Sequence, residues 1–185
     1  GVLTVHGINY AADTGNHEVR NRVGATMTVE NTLDLNGRLI NEGTLDTQRL
    51  FLTMRGSENS GTMTVGMFTL DGNTTWGSGA SARGRFVNTG DLTVTMMQNH
   101  GVFINESNAT FNHLQVGDNN NRGDGYHAAT YVNAGTTTTV GLNVIFNSVL
   151  TNQADADLTA SGSGQVAGTL VNEGNLTLSG SGGYR

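Results

Sequence analysis

The sequence has no cysteine and no proline, and charged residues make up only 13% of it. Without cysteine there is no disulfide, no thiolate nucleophile and no thiol metal site. Without proline, the turns fall to Gly and Asn, which tolerate positive φ. Aromatics stand at 6%, and the scarcity of strong helix formers argues against a helical bundle. No apolar run approaches the roughly 20 residues that carry a helix across a bilayer. The net charge of −6 argues against nucleic acid or an anionic membrane as partner. Charge this low also argues against a disordered chain.

What remains is one domain's worth of chain, 185 residues rich in Gly (27), Thr (26), Asn (22) and Ser (10). That is a soluble, β-rich composition with Gly/Asn turns. The chain opens on Gly1, and no basic segment leading into an apolar one follows it. The expectation is a processed protein or an excerpt of a longer one.

Internal repeats carry most of the information. One phrase occurs three times, as Gly37-Arg-Leu-Ile-Asn-Glu-Gly-Thr-Leu45, Gly84-Arg-Phe-Val-Asn-Thr-Gly-Asp-Leu92 and Gly168-Thr-Leu-Val-Asn-Glu-Gly-Asn-Leu176. Its Asn-x-Gly core recurs at Asn41, Asn59, Asn88, Asn99, Asn133 and Asn172, at spacings of 18, 29, 11, 34 and 39 residues. Asn152 opens a variant with two extra residues, which divides the last interval into 19 and 20. An apolar–Thr–apolar triplet accompanies the turn, for example Met27-Thr-Val29, Met63-Thr-Val65 and Leu92-Thr-Val94. Alternation at period two turns the outer pair inward and the Thr outward.

The unit is therefore strand, Asn-x-Gly turn, strand, repeating about every 20 residues. A parallel β-helix would stack the six Asn as a turn ladder, each amide bonding the next rung, around a column of Leu, Val, Ile, Phe and Met. About nine rungs at roughly 4.8 Å make a rod about 43 Å long. The alternative is an antiparallel β-sandwich, since hairpins also use Asn-Gly turns. The expected layout is a single β-helix domain over 1–185 with a surface loop at 117–127.

The recurring phrases, the Thr-bearing strands and the lack of Cys resemble Gram-negative secreted adhesins. These are the passenger domains of autotransporters and the haemagglutinin-like exoproteins of two-partner secretion. The resemblance, one of repeat style over roughly residues 26–183, implies a right-handed parallel β-helix on the bacterial outer surface or secreted. It further implies attachment to a host receptor, a glycan or another copy of the chain. Asn-Pro-Asn signatures of the exoprotein secretion domain are absent, since the chain has no Pro.

Candidate sites are few. The stretch Gly117-Asp-Asn-Asn-Asn-Arg-Gly-Asp-Gly-Tyr-His127 has no apolar residue before Tyr126 and reads as a surface loop. It holds Arg122, Gly123 and Asp124, the tripeptide that integrins read. Asp118, Asn120 and Asp124 are hard oxygen donors suited to calcium, although Arg122 occupies the place of a third ligand. Asp155 and Asp157 lie two apart, as paired carboxylates of a polysaccharide-active enzyme would on a strand. They fall in the extended turn after Asn152, where two solvated carboxylates are ordinary, so no catalytic residue and no cofactor are expected.

None of the five His makes a metal-binding spacing, and the lone Trp76 reads as packing. Thr-x-Thr pairs such as Thr26/Thr28 and Thr62/Thr64 match the outward Thr arrays with which some β-helices bind ice, but they recur at irregular separations along the chain. A structural role is the alternative to adhesion. With no cap visible at Gly1–Asn9 or Ser179–Arg185, exposed rung edges would stack end to end into a filament.

Overall fold

The computed structural model describes residues 1–9, 17–53, 56–71, 84–117 and 129–180. Within them every strand pairing is parallel and there is no helix. The fold is a parallel β-helix, and the antiparallel sandwich is excluded.

Each of the first eight coils consists of a long strand followed by a short one, and the ninth shows its long strand among the described residues. The long strands form one sheet, in the order Val2–Val5, Thr26–Leu35, Thr44–Leu52, Thr62–Leu70, Asp91–Asn99, Asn108–Val116, Thr136–Val144, Asp157–Ala160 and Asn175–Leu178. Ile8–Asn9 and Gly164–Val166 continue the first and eighth of these coils in the same sheet. The short strands form the second sheet, from His17–Asn21 through Gly37–Asn41, Ser57–Asn59, Arg85–Asn88, Val102–Asn105, Thr130–Asn133 and Val149–Asn152 to Thr169–Asn172. Coils are numbered one to nine by their long strands.

A full long strand bends once. In Asp91–Asn99 the inward residues are Leu92, Val94, Met97 and Asn99, and the neighbours Thr95 and Met96 both face out. Two consecutive outward residues reverse the phase of a period-two strand, so the chain turns an outer corner there. The same pattern recurs in Thr44–Leu52 and Thr62–Leu70. Coil two carries one residue more, absorbed as a register shift between Val29 and Thr32.

The core is the stack of inward columns. Phe86, Phe103 and Tyr131 follow one another in the short-strand column, with centroids 5.3 and 5.1 Å apart. Phe68 and Phe111 meet this stack edge-on. Tyr131 is fully buried, and burial pushes its phenol well above the usual range. Its hydroxyl donates to Thr137 Oγ1 at 2.8 Å, because the Thr137 proton is itself given to Asn133 Oδ1. Ala109 is the inward residue opposite Thr137 on the neighbouring coil.

Candidate functional site

Two of the corners of each coil behave differently. At the first, which follows the short strand, an Asn closes the turn, buried at every rung but the last. The ladder runs Asn21, Asn41, Asn59, Asn88, Asn105, Asn133, Asn152 and Asn172, each Nδ2 donating to the next Oδ1 at 2.7–3.0 Å. The same Nδ2 also bonds the carbonyl that opens the long strand following the next ladder Asn, as Asn88 does with Asn108 O at 3.0 Å. Where Gly stands two residues after the Asn, a Cβ would lie 2.1–2.3 Å from a carbonyl of the adjacent coil. At these turns the absence of a Cβ is what lets the neighbouring coil approach so closely. Positive φ occurs instead at Gly24, Gly56, Gly117, Asn147 and Asp155 among the described residues.

Asn41, Asn59, Asn88, Asn133 and Asn172 stand in this ladder, but Asn99 does not. It is the last inward residue of the long strand of coil five, where Leu70 and Val116 are its register partners. Its Oδ1 accepts from Gly101 N at 3.0 Å and its Nδ2 donates to Thr130 O at 2.9 Å. The local Asn-x-Gly turn is the same, but the corner is another one. The ladder residue of coil five is Asn105, whose turn reads Asn-Glu-Ser and so lacks the Gly. With Asn105 in place of Asn99, the spacings of 11 and 34 become 17 and 28, against 18–20 for coils without long insertions.

At the second corner, between long and short strand, length is free. One residue spans it from Leu35 to Gly37, two from Asn99 to Val102, and four from Leu52 to Ser57 and from Val144 to Val149. Seven separate Asn9 from His17, thirteen Val116 from Thr130, and fourteen Leu70 from Arg85. Asp71 O accepts from Gly84 N at 3.1 Å, so the segment 72–83 leaves and returns at one point. Gly117 (φ 103°) has no room for a Cβ, which would meet Ser148 Oγ at 2.3 Å, and Ser148 Oγ accepts from Ala129 N at 3.3 Å. Ser148 of coil seven thus bonds the Ala129 end of segment 118–128 and lies close against the Gly117 end. On that coil Phe146 stands 61% exposed at the same corner.

Arg122, Gly123 and Asp124, together with the calcium candidates Asp118 and Asn120, lie outside the described residues, as do Trp76 and His127. Asp155 and Asp157 do not share a strand. Asp155 sits in the turn at φ 64°, whereas Asp157 opens a strand and its Oδ1 accepts from Asn175 Nδ2 at 2.9 Å. Among the described residues no three His, Asp or Glu gather as a metal site would require.

The two outward faces of the long sheet carry different chemistry. Before the bend, Thr64, Thr93, Thr110, Thr138, Thr159 and Thr177 fall in one row over six successive coils. The Thr-x-Thr pairs of the sequence do not stack as pairs, since Thr28 meets Asp46 and Thr62 meets Asp91 on the neighbouring coils. Beyond the bend, Met67, Met96 and His113 align across coils four to six, with Thr69, Gln98 and Gln115 beside them. His113 lies over Gly141, where a Cβ would stand 2.5 Å from Nδ1. Its Nε2 is 3.2 Å from Asn143 Nδ2. Gln165 N donates to Asn143 Oδ1, which orients that amide and makes His113 Nε2 the acceptor.

No family model matches the chain, and neither do the curated proteins or the solved structures.

Proposed function

We propose that this chain is a segment of an extracellular, adhesin-type β-helix that attaches to a surface through its variable corner. The observation that carries this reading is the concentration of extra chain there. The segments 10–16, 72–83 and 118–128 all branch from the corner between long and short strand, while the opposite corner is pinned by the Asn ladder. A stacked scaffold that admits length change at one corner displays its insertions along one edge of the rod. Arg122, Gly123 and Asp124 belong to the longer-range part of this proposal, since their segment starts from that edge.

The chain supplies its own template for a test, because coil five passes this corner with only His100 and Gly101. Replacing 72–83 and 118–128 each by a His-Gly passage leaves the melting temperature within a few degrees and abolishes binding to epithelial cells or extracellular matrix in a plate assay. Undiminished attachment overturns the reading.

A filament-forming role rests on a different observation. Beside coil one lies a hollow of about 330 Å³ whose lining includes Leu3, Asn21, Arg22 and Met27. On coils eight and nine Val171 and Leu178 are each 37% exposed. A second copy could pair its Val2–Val5 with Asn175–Leu178, but among the described residues nothing then covers Thr169–Asn172. Such a joint is weaker than a contact between coils within the chain. Sedimentation velocity over a concentration series checks it, with end-to-end oligomers only at the high end.

A further inference from the structure

We propose that the strip beyond the bend, built on Met67, Met96 and His113 with Gln98 and Gln115 beside them, binds a neutral glycan chain running across coils four to six. The proposal rests on the adhesin reading and gives the chemical class of its ligand.

The first argument is residue choice. The outward face before the bend uses Thr, which suits a pleated surface by itself. Beyond the bend, the same sheet in the same coils carries Met, Met and His in one row and Thr, Gln and Gln in the next. Met and Gln gain little from a strand, so strand formation does not account for them. Met96 is 37% exposed, which leaves a soft, polarisable thioether open to an apolar ring face.

The second argument is hydrogen bonding. Gln115 Nε2 donates to Gly117 O at 2.9 Å, and Gln98 Oε1 accepts from Thr69 Oγ1 at 3.4 Å. These bonds fix the two carboxamides while leaving Gln115 Oε1 and the Gln98 amide N–H groups for a ligand. Donors and acceptors beside an apolar row match a sugar, whose C–H face is apolar and whose rim is hydroxyl. Phe146, exposed at the corner of the next coil, adds an aromatic surface for a further ring.

The third argument is charge. Arg49 ends the first row at coil three, and from coil four to coil six neither row holds a carboxylate, Arg or Lys. The chain has no Lys at all, and all nine of its basic residues are Arg. An acidic polysaccharide would call for such cations, so the strip suits an uncharged one. Met67 to His113 spans roughly 10 Å at one coil per 4.8 Å, a short oligosaccharide's length. The strip is flanked by the bases of two insertions, at Asp71 and Gly117, with the short passage of coil five between them.

The test titrates the full chain with soluble cello-, chito- and galacto-oligosaccharides, using oligogalacturonate as the anionic control. Binding is read by calorimetry and by the shifts of the methionine methyl signals in NMR. The expected result is that one neutral series binds and perturbs the Met67 and Met96 methyls. Met96→Ala and Gln98→Ala should each weaken it at least tenfold, at unchanged melting temperature because both side chains point outward. Binding of oligogalacturonate alone, neutral binding indifferent to both substitutions, or no binding overturns the proposal. Its failure is separable from that of the adhesin reading. If cells attach through the variable corner and no sugar binds, only the glycan inference falls. If attachment survives replacement of both insertions, attachment through the variable corner falls, and sugar binding at the strip is then decided by the titration alone.

Discussion

The Asn corner and the variable corner are made by the same chain in the same coils, yet one holds either two or four residues and the other from one to fourteen. At the Asn corner a fully buried amide serves its own turn, the next Asn and the next strand at once, as Asn88 does with Gly90, Asn105 and Asn108. An extra residue there would move these partners together, and each buried group left unpaired costs about 1–3 kcal/mol. Six of its eight turns place two residues between the Asn and the next long strand. The two with four, after Asn21 and Asn152, include Gly24 and Asp155 at positive φ. At the variable corner side-chain bonds such as those of Asn99 and Ser148 are local and form no continuous ladder, so extra chain placed away from them costs mainly closure entropy, about 0.6 kcal/mol per doubling of length. The difference shows how a solenoid separates cohesion from display.

The strongest way to break this contrast is to remove one rung of the ladder. Asn88→Ala takes one of two partners from Asn59 Nδ2, which keeps Asp91 O, and removes the amide that Asn105 Oδ1 and the carbonyls of Gly90 and Asn108 accept from. Urea unfolding should show a loss of about 3 kcal/mol or more. A loss below about 1 kcal/mol would mean that the ladder does not hold the corner.

A paired insertion tests the contrast more directly. One glycine placed between Glu106 and Ser107, at the Asn corner, makes a three-residue turn that none of the eight uses and should cost about 2 kcal/mol through misplaced partners of Asn105. The same glycine between Phe146 and Asn147, both exposed at the variable corner of coil seven, should cost at most about 0.6 kcal/mol. Equal losses would erase the distinction.

The smallest effect is electrostatic. Asp34 lies on the strand leading into the variable corner, and burial raises its carboxyl above the usual range. Its Oδ1 is buried without a hydrogen-bond partner. The folded state thus holds this proton more tightly than the unfolded one, so the ionised form costs stability, and the cost fades as pH falls through the carboxylate range. Asp34→Asn should raise stability at neutral pH by roughly a few tenths of a kcal/mol, given solvent screening. The gain should vanish in acid, and a gain that persisted there would trace to packing.

Much of the fold was legible in the sequence. The phrase around Asn41, Asn88 and Asn172 gave the Asn turn, and the triplets around Thr28, Thr64 and Thr93 gave inward and outward faces. Asn99 shows where local reading stops. Its Asn-x-Gly turn is indistinguishable in sequence from that of Asn41, while Asn105 hides behind Ser107. The strip of Met67, Met96, His113, Gln98 and Gln115 left no trace either, because the insertion 72–83 separates its first members in sequence from the rest. A recurring Met or Gln at the outward positions of the strands would have been the available signal, readable only after alignment of the coils.

By itself the sequence determined the repeating unit, since side-chain period and turn chemistry act over a few residues and need no distant partner. Only the stacking of coils decided which Asn form the ladder, which corner takes the insertions, and how Thr, Met and Gln line up into faces. Those depend on register between residues 17–32 positions apart, and each insertion shifts that register in sequence while leaving it unchanged in space.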